Sequence, residues 1–275
     1  MNILVIGATG YIGGQVAAAL AGAGHQITVL RRTGGGAAPD YPSVSGDLAD
    51  PRTLTPAARG FDRVIHIGAP IDDRTDLDGA QALLSAGSPL VYTTGAAVLG
   101  AGTQDEDSAP DPHPIAAIRP EIERRVLAAG GWIVRPGLVY GGGVRGDGSG
   151  PGLVHGLLAG KAAERGTGVY IGEPGVRWPV VHVDDLAALY VAVVAAAPPG
   201  TVWHGVGETV RLDAIAEALG GGAAVSWPAD EAAREIGPQL ADLFTRDQDV
   251  LAARTRERLG WSPAHASIVA FLAGR

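Results

Sequence analysis

The 275-residue chain contains no cysteine, and its only lysine is Lys161. Without cysteine it can form no disulfide and no thiolate for catalysis or metal binding, a composition that fits a cytoplasmic protein. No apolar run approaches the roughly 20 residues of a membrane span. No basic segment precedes an apolar stretch at the N-terminus, so we expect neither a membrane segment nor a signal peptide.

Positive charge is also scarce, because the net charge is −8. A nucleic-acid-binding surface needs a basic face, so the composition argues against nucleic acid as a partner. Hydrophobic residues make up 46% of the chain, which is enough for a sizeable core. The length allows one large domain or two small ones.

A glycine-rich stretch near the N-terminus is the most informative segment. The apolar run 3–6 predicts a strand, and Gly7, Gly10 and Gly13 follow at three-residue spacing before the helix-forming run 15–20. A strand, a glycine turn and a helix in this order form a dinucleotide-binding fingerprint, because the turn lets a pyrophosphate approach the N–H groups at the helix start. The alternative interpretation is a tight turn that only packs the helix on the sheet.

Two arginines end the second predicted strand, residues 26–30. An acidic residue in this place would accept hydrogen bonds from the ribose 2′-hydroxyl. Arg31 and Arg32 instead offer positive charge and forked donors to a 2′-phosphate, which favours NADP over NAD. They could equally be a solvated basic pair at a strand end.

Strands and helices alternate through the first half of the chain. Further strands are predicted near residues 44, 63–67, 90–94 and 132–134, with helices near 77–86 and 115–129. This alternation predicts an α/β fold with a doubly wound parallel sheet of the Rossmann type. We expect this domain to span residues 1–140.

The second half follows a different pattern and predicts a smaller mixed α/β lobe over residues 141–275. Some return to the Rossmann sheet is expected near 178–204. Helices are predicted near residues 153–160 and over 184–197 with Asp184 as N-cap, and further short helices near 212, 230, 247 and after 263.

The motifs resemble those of extended short-chain dehydrogenases/reductases of the NAD(P)-dependent epimerase/dehydratase type. They are Gly7-x-x-Gly10-x-x-Gly13, Asp47-Leu48, the strand at 90–94, the acidic loop 105–107, residues 135–141, residues 181–186 and residues 259–263. The resemblance implies NAD(P) in the first lobe, a small-molecule substrate between the lobes and a possible homodimer. The residues expected to bind the cofactor are Gly7, Thr9, Gly10, Tyr11, Ile12, Gly13, Arg31, Arg32, Asp47, Leu48, Ile67, Gly68, Ala69, Arg119, Pro136 and Val139.

The resemblance fails at the catalytic positions. The family usually carries a Ser or Thr, a Tyr that acts as general acid and base, and a Lys four residues after the Tyr. These positions fall on Gly95, Ile115 and Arg119 here, and no tyrosine in the chain has a lysine or arginine four residues later. The usual proton relay is therefore chemically absent.

Four residues remain as candidates for catalysis: Arg119, His113, Tyr140 and Thr93. Arg119 stays protonated, so it could hold ribose hydroxyls or stabilise an oxyanion but is a poor proton donor. Each candidate alone can equally be structural. His66 is expected to be a satisfied core histidine, and His182 a packed hinge residue. The histidines do not cluster in the sequence at metal-ligand spacing, so no metal is expected.

Two hypotheses remain from different classes. The first is an NADPH-dependent oxidoreductase that reduces a small carbonyl, imine or enone with a non-standard proton source. The second is an NADP(H)-binding protein without redox turnover, such as a sensor or a scaffold for another reaction. A sugar-nucleotide epimerase is a weaker third interpretation, since that chemistry depends most on the missing tyrosine.

Overall fold

A seven-stranded parallel sheet forms the centre of the protein. The computed structural model describes residues 1–32, 41–68, 72–142, 156–265 and 267–274. The strands are β1 (Asn2–Ile6), β2 (Gln26–Arg31), β3 (Ser43–Ser45), β4 (Arg63–His66), β5 (Leu90–Thr93), β6 (Gly102–Gln104), β7 (Trp132–Pro136), β8 (Leu138–Tyr140), β9 (Gly168–Ile171), β10 (Arg177–His182), β11 (Thr201–Gly205), β12 (Glu208–Arg211), β13 (Ala224–Trp227) and β14 (Gln248–Val250).

Helices lie along both faces of this sheet and build the rest of the protein. They are α1 (Tyr11–Gly22), α2 (Pro51–Ala58), α3 (Asp73–Leu84), α4 (Arg119–Ala128), α5 (Ala159–Arg165), α6 (Val183–Ala196), α7 (Leu212–Leu219), α8 (Ala229–Ile236), α9 (Pro238–Leu243), α10 (Ala253–Leu259) and α11 (Ile268–Ala273). Within the described ranges, no helix has both the length and the apolar character that a membrane crossing needs.

The strand order of the central sheet is β11-β7-β5-β4-β1-β2-β3, and every neighbouring pair is parallel. The order reverses between β1 and β4, the arrangement that in doubly wound sheets leaves a crevice at the carboxyl edge of the sheet. Ligands of doubly wound sheets bind at such a switch point. The predicted Rossmann architecture is confirmed.

Burial explains why these segments form a parallel sheet. Ile3, Leu4 and Val5 are fully buried, since helices cover both faces of β1. A near-continuous apolar run is what a strand covered on both faces requires. Val16 and Leu20 of α1 pack in the same cluster as Ile3 and Val5, and α6 lies against α1 on that face.

The later part of the chain contributes to two places. β11 joins the central sheet beside β7, whereas β10 pairs with β8 and β12 in a separate three-stranded sheet. A second core forms around this smaller sheet, and its largest buried side chains include Trp227 and Phe244. The division into domains 1–140 and 141–275 stays a prediction.

Three local predictions were wrong. The helix expected over 115–129 is split into a 3-10 turn, Pro114–Ala116, and α4, because Pro120 lacks an N–H and fits only the first turn of a helix. The helix expected near 247 is instead strand β14, which pairs with β6. The N-cap of α6 is His182 rather than Asp184, and the His182 side chain accepts the Asp184 N–H.

Candidate active site

The glycine turn between β1 and α1 depends on close backbone approach. Gly7 has φ +91°, and a Cβ at Gly7 would lie 2.8 Å from the Gly68 nitrogen. A Cβ at Gly13 would lie only 2.1 Å from the Gly7 oxygen. Gly10 is the N-cap of α1, and no side chain caps it. The first N–H groups of α1 thus face the crevice without a side-chain acceptor at the cap, which suits a phosphate.

The residues predicted to hold the adenosine end border the same crevice. Gly68 follows β4 and lies close to Leu48, since a Cβ at Gly68 would come within 2.8 Å of the Leu48 Cδ1. Arg31 ends β2, and Arg32 beside it is exposed. Asp47 makes a turn in which its Oδ1 accepts the Ala49 N–H at 3.0 Å.

The remaining predicted cofactor residues fall on three segments. Thr9, Tyr11 and Ile12 belong to the glycine turn and the start of α1, and Ile67 donates its N–H to the Ile6 oxygen at 2.9 Å. Pro136 ends β7, and Val139 is the middle residue of β8. Ala69 lies outside the described residues.

The position that the motif comparison assigns to the usual Ser or Thr is Gly95, which has no side chain and a backbone that favours glycine. Gly95 has φ +154°, a conformation that L side chains rarely adopt. The nearest atom to a Cβ placed there is the Pro136 oxygen, 3.8 Å away. The position of the usual tyrosine carries Ile115, which is 44% exposed. These two positions present open space and an apolar surface instead of hydroxyl groups.

The position of the usual lysine carries Arg119, whose guanidinium is held by fixed partners. Its Nε forms an ion pair with Asp76 Oδ2 at 2.8 Å, and its Nη1 donates to the Thr93 oxygen at 2.9 Å. The Tyr92 hydroxyl donates to the other oxygen of Asp76. Sequence reasoning had missed Asp76, because α3 and α4 come together only in the fold.

His66 completes this group, which we call the tip cluster: His66, Asp76, Tyr92 and Arg119. The His66 ring stacks on Tyr92 with centroids 4.9 Å apart. Burial lowers the pKa of His66 to about 3, and the Arg119 charge adds to this. Burial also raises the pKa of Asp76, although Arg119 opposes that rise.

The expectation that His66 is a satisfied core histidine was wrong in one respect. It is buried, but its Nδ1 has no hydrogen-bond partner among the described residues. Burial without a partner favours the neutral ring.

A second buried ion pair lies beside the tip cluster and also escaped the sequence reasoning. Arg135 donates from Nε to Glu123 Oε1 at 2.9 Å and from Nη2 to Oε2 at 2.5 Å, and both side chains are at most 4% exposed. Glu123 also accepts the Thr94 hydroxyl at 2.7 Å. This pair ties α4 to the ends of β5 and β7, where the candidate catalytic positions lie.

The other three catalytic candidates contact other side chains of the protein. His113 is fully buried, with its Nε2 2.9 Å from Asp242 Oδ2, and its Nδ1 accepts the Ile115 N–H. The Thr93 hydroxyl contacts the hydroxyl of buried Tyr190.

Tyr140 is only 3% exposed, and burial raises the pKa of its hydroxyl. Its ring packs edge-on against His182 and Phe271. The described contacts of His113, Thr93 and Tyr140 therefore lie within the protein, although the sequence offered each of the three as a proton donor.

One group of side chains could hold a metal, contrary to the sequence expectation. Across the described ranges, His182, Asp184 and His265 are the residues whose ligand atoms gather, all within 4.8 Å of one another. His182 and His265 are 83 positions apart in the chain, so no local spacing announced the group.

The parallel sheet, the glycine turn at its switch point and the second lobe define a nicotinamide-dinucleotide-dependent enzyme of the Rossmann class. The chain belongs to the NAD dependent epimerase/dehydratase family, whose model matches residues 3–204. This membership implies an oxidoreductase or epimerase-type enzyme acting on a small molecule.

Individual relatives support the assignment. A Streptomyces protein named 3-diazoavenalumate denitrifying reductase is 29% identical, with 97% of each chain covered. The 2-alkyl-3-oxoalkanoate reductase of Stenotrophomonas maltophilia is 26% identical over 74% of this chain and 68% of its own. The human epimerase family protein SDR39U1, solved with NADPH, has a similar fold, with a TM-score of 0.76, 22% identity and coverage of 100% and 98%.

Proposed function

We propose that the protein is an NADPH-dependent reductase whose hydride acceptor needs no proton from the enzyme. The observation that carries this proposal is the pair of replaced positions, Gly95 and Ile115, where open space and an apolar side chain stand in place of hydroxyl groups. The glycine turn and the second core around the smaller sheet support cofactor binding and a substrate cleft. A reductase with this site would reduce only acceptors whose reduction needs no proton donor on the enzyme.

The chemistry of the acceptor follows from the proton balance. NADPH, when bound, supplies a hydride. An iminium carbon that accepts a hydride becomes an amine without a proton, and a conjugated enone can take its proton from water at the α-carbon. A diazonium carbon that accepts a hydride loses its carbon–nitrogen bond with the electron pair and releases dinitrogen. A simple ketone needs a donor at the alkoxide oxygen.

The name of the Streptomyces relative favours the cationic acceptors, which are the diazonium and iminium compounds. Its name describes a denitrifying reduction of a diazo compound. We therefore place diazonium and iminium compounds first among the candidate substrates, and enones after them. The relative named as a reductase of 2-alkyl-3-oxoalkanoates keeps ketones in the comparison.

The residues of the site would divide the work as follows. The N–H groups at the start of α1 would bind the pyrophosphate, and Arg31 and Arg32 would bind a 2′-phosphate. Arg119 is already fixed by Asp76 and the Thr93 oxygen. It would orient the nicotinamide ribose with its remaining guanidinium N–H groups. The neighbouring carboxylate offsets its charge, so a cationic acceptor is not repelled.

The decisive experiment follows a labelled hydride. The protein is incubated with 4-deuterated NADPH and a matched panel of an aryl diazonium, an iminium, an enone and a ketone. We expect deuterium in the diazonium and iminium products and little ketone reduction. The Ile115→Ala variant, which removes apolar surface but no acid, should change KM more than kcat. Preferred turnover of simple ketones, with the same pH optimum in wild type and variant, would contradict the proposal.

The cofactor preference needs its own test. Replacing both Arg31 and Arg32 by alanine should weaken NADPH binding at least about tenfold and leave NADH binding unchanged, because only NADPH carries the 2′-phosphate. Arg59→Ala, a change at another exposed arginine, serves as control. Titration calorimetry measures both. Equal weakening for the two cofactors would refute a 2′-phosphate contact.

A second candidate is an NADP(H)-binding protein without turnover. The observation that favours it is that His113, Thr93 and Arg119 are all bonded within the protein. It predicts tight binding with no label transfer to any member of the panel. Transfer to one acceptor class suffices to reject it. An epimerase stays the weaker interpretation, because Ile115 cannot take up and return a proton.

A further inference from the structure

A cluster of nitrogen and oxygen ligands lies where α6 begins, and the ring of its His182 packs edge-on against Tyr140. His182 ends β10, Asp184 is in the first turn of α6, and His265 belongs to the segment that leads to α11. The Asp184 Oδ2 is 3.7 Å from the His182 Nδ1 and 3.5 Å from the His265 Nε2. Ligands about 2.1 Å from one tetrahedral ion are spaced similarly.

A second layer of contacts orients two of the three ligands. The Asp185 carboxylate lies 2.9 Å from the His265 Nδ1 and accepts its proton, which leaves the lone pair on Nε2, the atom nearer to Asp184. The Gln15 amide donates to Asp184 Oδ1, which leaves Oδ2 for the cluster. A carboxylate behind a histidine and a donor behind a carboxylate are the usual outer partners of metal ligands.

We propose that His182, Asp184 and His265 bind one divalent transition-metal ion of the zinc class, with water completing the coordination. Two imidazoles and one carboxylate suit zinc, nickel or copper better than magnesium or calcium, which prefer oxygen ligands. The ion would fasten the segment around His265 to α6, and through Gln15 to α1. The ion would thus link these three segments.

Coordination requires a rearrangement that the exposure of His265 permits. The two rings are stacked, with centroids 3.7 Å apart and planes 11° apart, so their lone pairs do not yet converge on one point. His265 is 39% exposed and can rotate about its Asp185 contact, whereas His182 is only 5% exposed. The 3.2 Å bond from the Asp184 N–H to the His182 Nδ1 is the contact that the ion replaces.

The test uses the untagged full-length chain and zinc chloride in titration calorimetry at pH 7.5, with magnesium chloride as comparison. We expect one zinc per chain, no magnesium binding, and at least a tenfold loss of zinc affinity in His265→Ala and in Asp184→Asn. The matched control is His25→Ala, which removes another partly exposed histidine and should bind zinc like the wild type. His182→Ala is avoided because His182 caps α6.

Two further measurements keep the result independent of folding. Zinc should raise the Tm of the wild type and of His25→Ala but not of His265→Ala. Cobalt should produce a visible d–d absorption band in the wild type that His265→Ala loses, while the far-ultraviolet circular dichroism of the two stays the same. No zinc binding by the wild type, or equal binding by His265→Ala and Asp184→Asn, overturns the proposal.

Discussion

The glycine turn and the tip cluster lie at the carboxyl edge of the same sheet, yet they are built in different ways. The glycine turn uses backbone only, and its residues 7–14 carry a single ionisable side chain, Tyr11. The tip cluster is built from side chains, namely an ion pair whose arginine is 19% exposed, a buried tyrosine hydroxyl and a buried imidazole whose Nδ1 has no hydrogen-bond partner among the described residues.

The difference shows that phosphate binding by the glycine turn and the chemistry of the tip cluster depend on different kinds of groups. Binding of a pyrophosphate depends on where the N–H groups point, so it tolerates few substitutions in the turn. Proton transfer depends on individual side chains, and the positions that the family motif assigns to them carry Gly95 and Ile115 in this chain. The comparison therefore predicts that substitutions in the glycine turn strongly weaken cofactor binding, whereas substitutions in the tip cluster have graded effects.

The largest expected effect tests the turn. Gly13→Ala places a Cβ 2.1 Å from the Gly7 oxygen, so the turn must open. We expect NADPH affinity to fall at least about 100-fold, or ~2.7 kcal/mol, in fluorescence titrations. Gly22→Ala is the control in the same helix, because nothing lies within 4 Å of its Cβ. Wild-type affinity in Gly13→Ala would remove the distinction between the two regions.

An effect on stability instead of cofactor affinity is expected when the ion pair of the tip cluster loses its charge balance. Asp76→Asn leaves the Arg119 guanidinium without its carboxylate, which should cost about 3 kcal/mol in urea unfolding, at the low end for a buried pair. The matched control is Asp78→Asn on the same helix, whose pair with Arg74 is exposed. The control should stay within about 0.5 kcal/mol of wild type. Equal effects of the two changes would show that the cluster is not a stabilising unit.

Lowering the pH should destabilise the protein through the tip cluster and not through the glycine turn. The pKa of His66 is lowered from 6.5 to about 3, so below pH 6.5 the unfolded state binds a proton that the folded state does not. Stability should therefore fall as the pH falls, with His66 contributing about 2 kcal/mol between pH 7.5 and 5.0.

His66→Phe keeps an aromatic ring against Tyr92 and should remove that share of the loss. The pH dependence of the urea midpoint is the measurement. Other buried histidines such as His204, whose pKa burial also lowers, contribute alike to wild type and variant. An unchanged pH dependence in His66→Phe would mean that His66 is not held neutral.

The smallest effect concerns the missing acid. Ile115→Tyr adds a hydroxyl at an exposed position, and we expect ketone reduction to rise about tenfold, less than the 10²-fold of a well-placed acid, because no lysine lowers the pKa of the new tyrosine. Ile115→Phe supplies the same ring without the hydroxyl and should show no rise. Iminium reduction should change equally little in both. A rise in both variants would trace the effect to packing instead of proton transfer.

Local patterns in the sequence were sufficient for the framework. The run 3–6, the glycine spacing and the strand–helix alternation predicted the parallel sheet and the glycine turn, because each is read within a few neighbouring residues. The missed elements depended on distant partners. Strand β14 looked like a helix start until β6, more than 140 residues earlier, supplied its neighbour.

Only the features of the site that depend on the backbone could be predicted from the sequence. Gly95 and Ile115 were assigned to the missing catalytic positions by motif, but the partners that hold Arg119 come from α3 and β5 and left no mark in the local sequence. The same limit applies to His182 and His265, which the fold brings together from distant segments. Tertiary contacts between polar side chains cannot be inferred from neighbouring residues in the sequence.

The backbone at Gly95 limits which residues position 95 can accept. A serine codon is one base change away from some glycine codons, yet a serine side chain at φ +154° would strain the loop that carries it. Placing a hydroxyl at position 95 thus demands a different loop backbone as well as a different residue, so a single substitution there does not install it without strain.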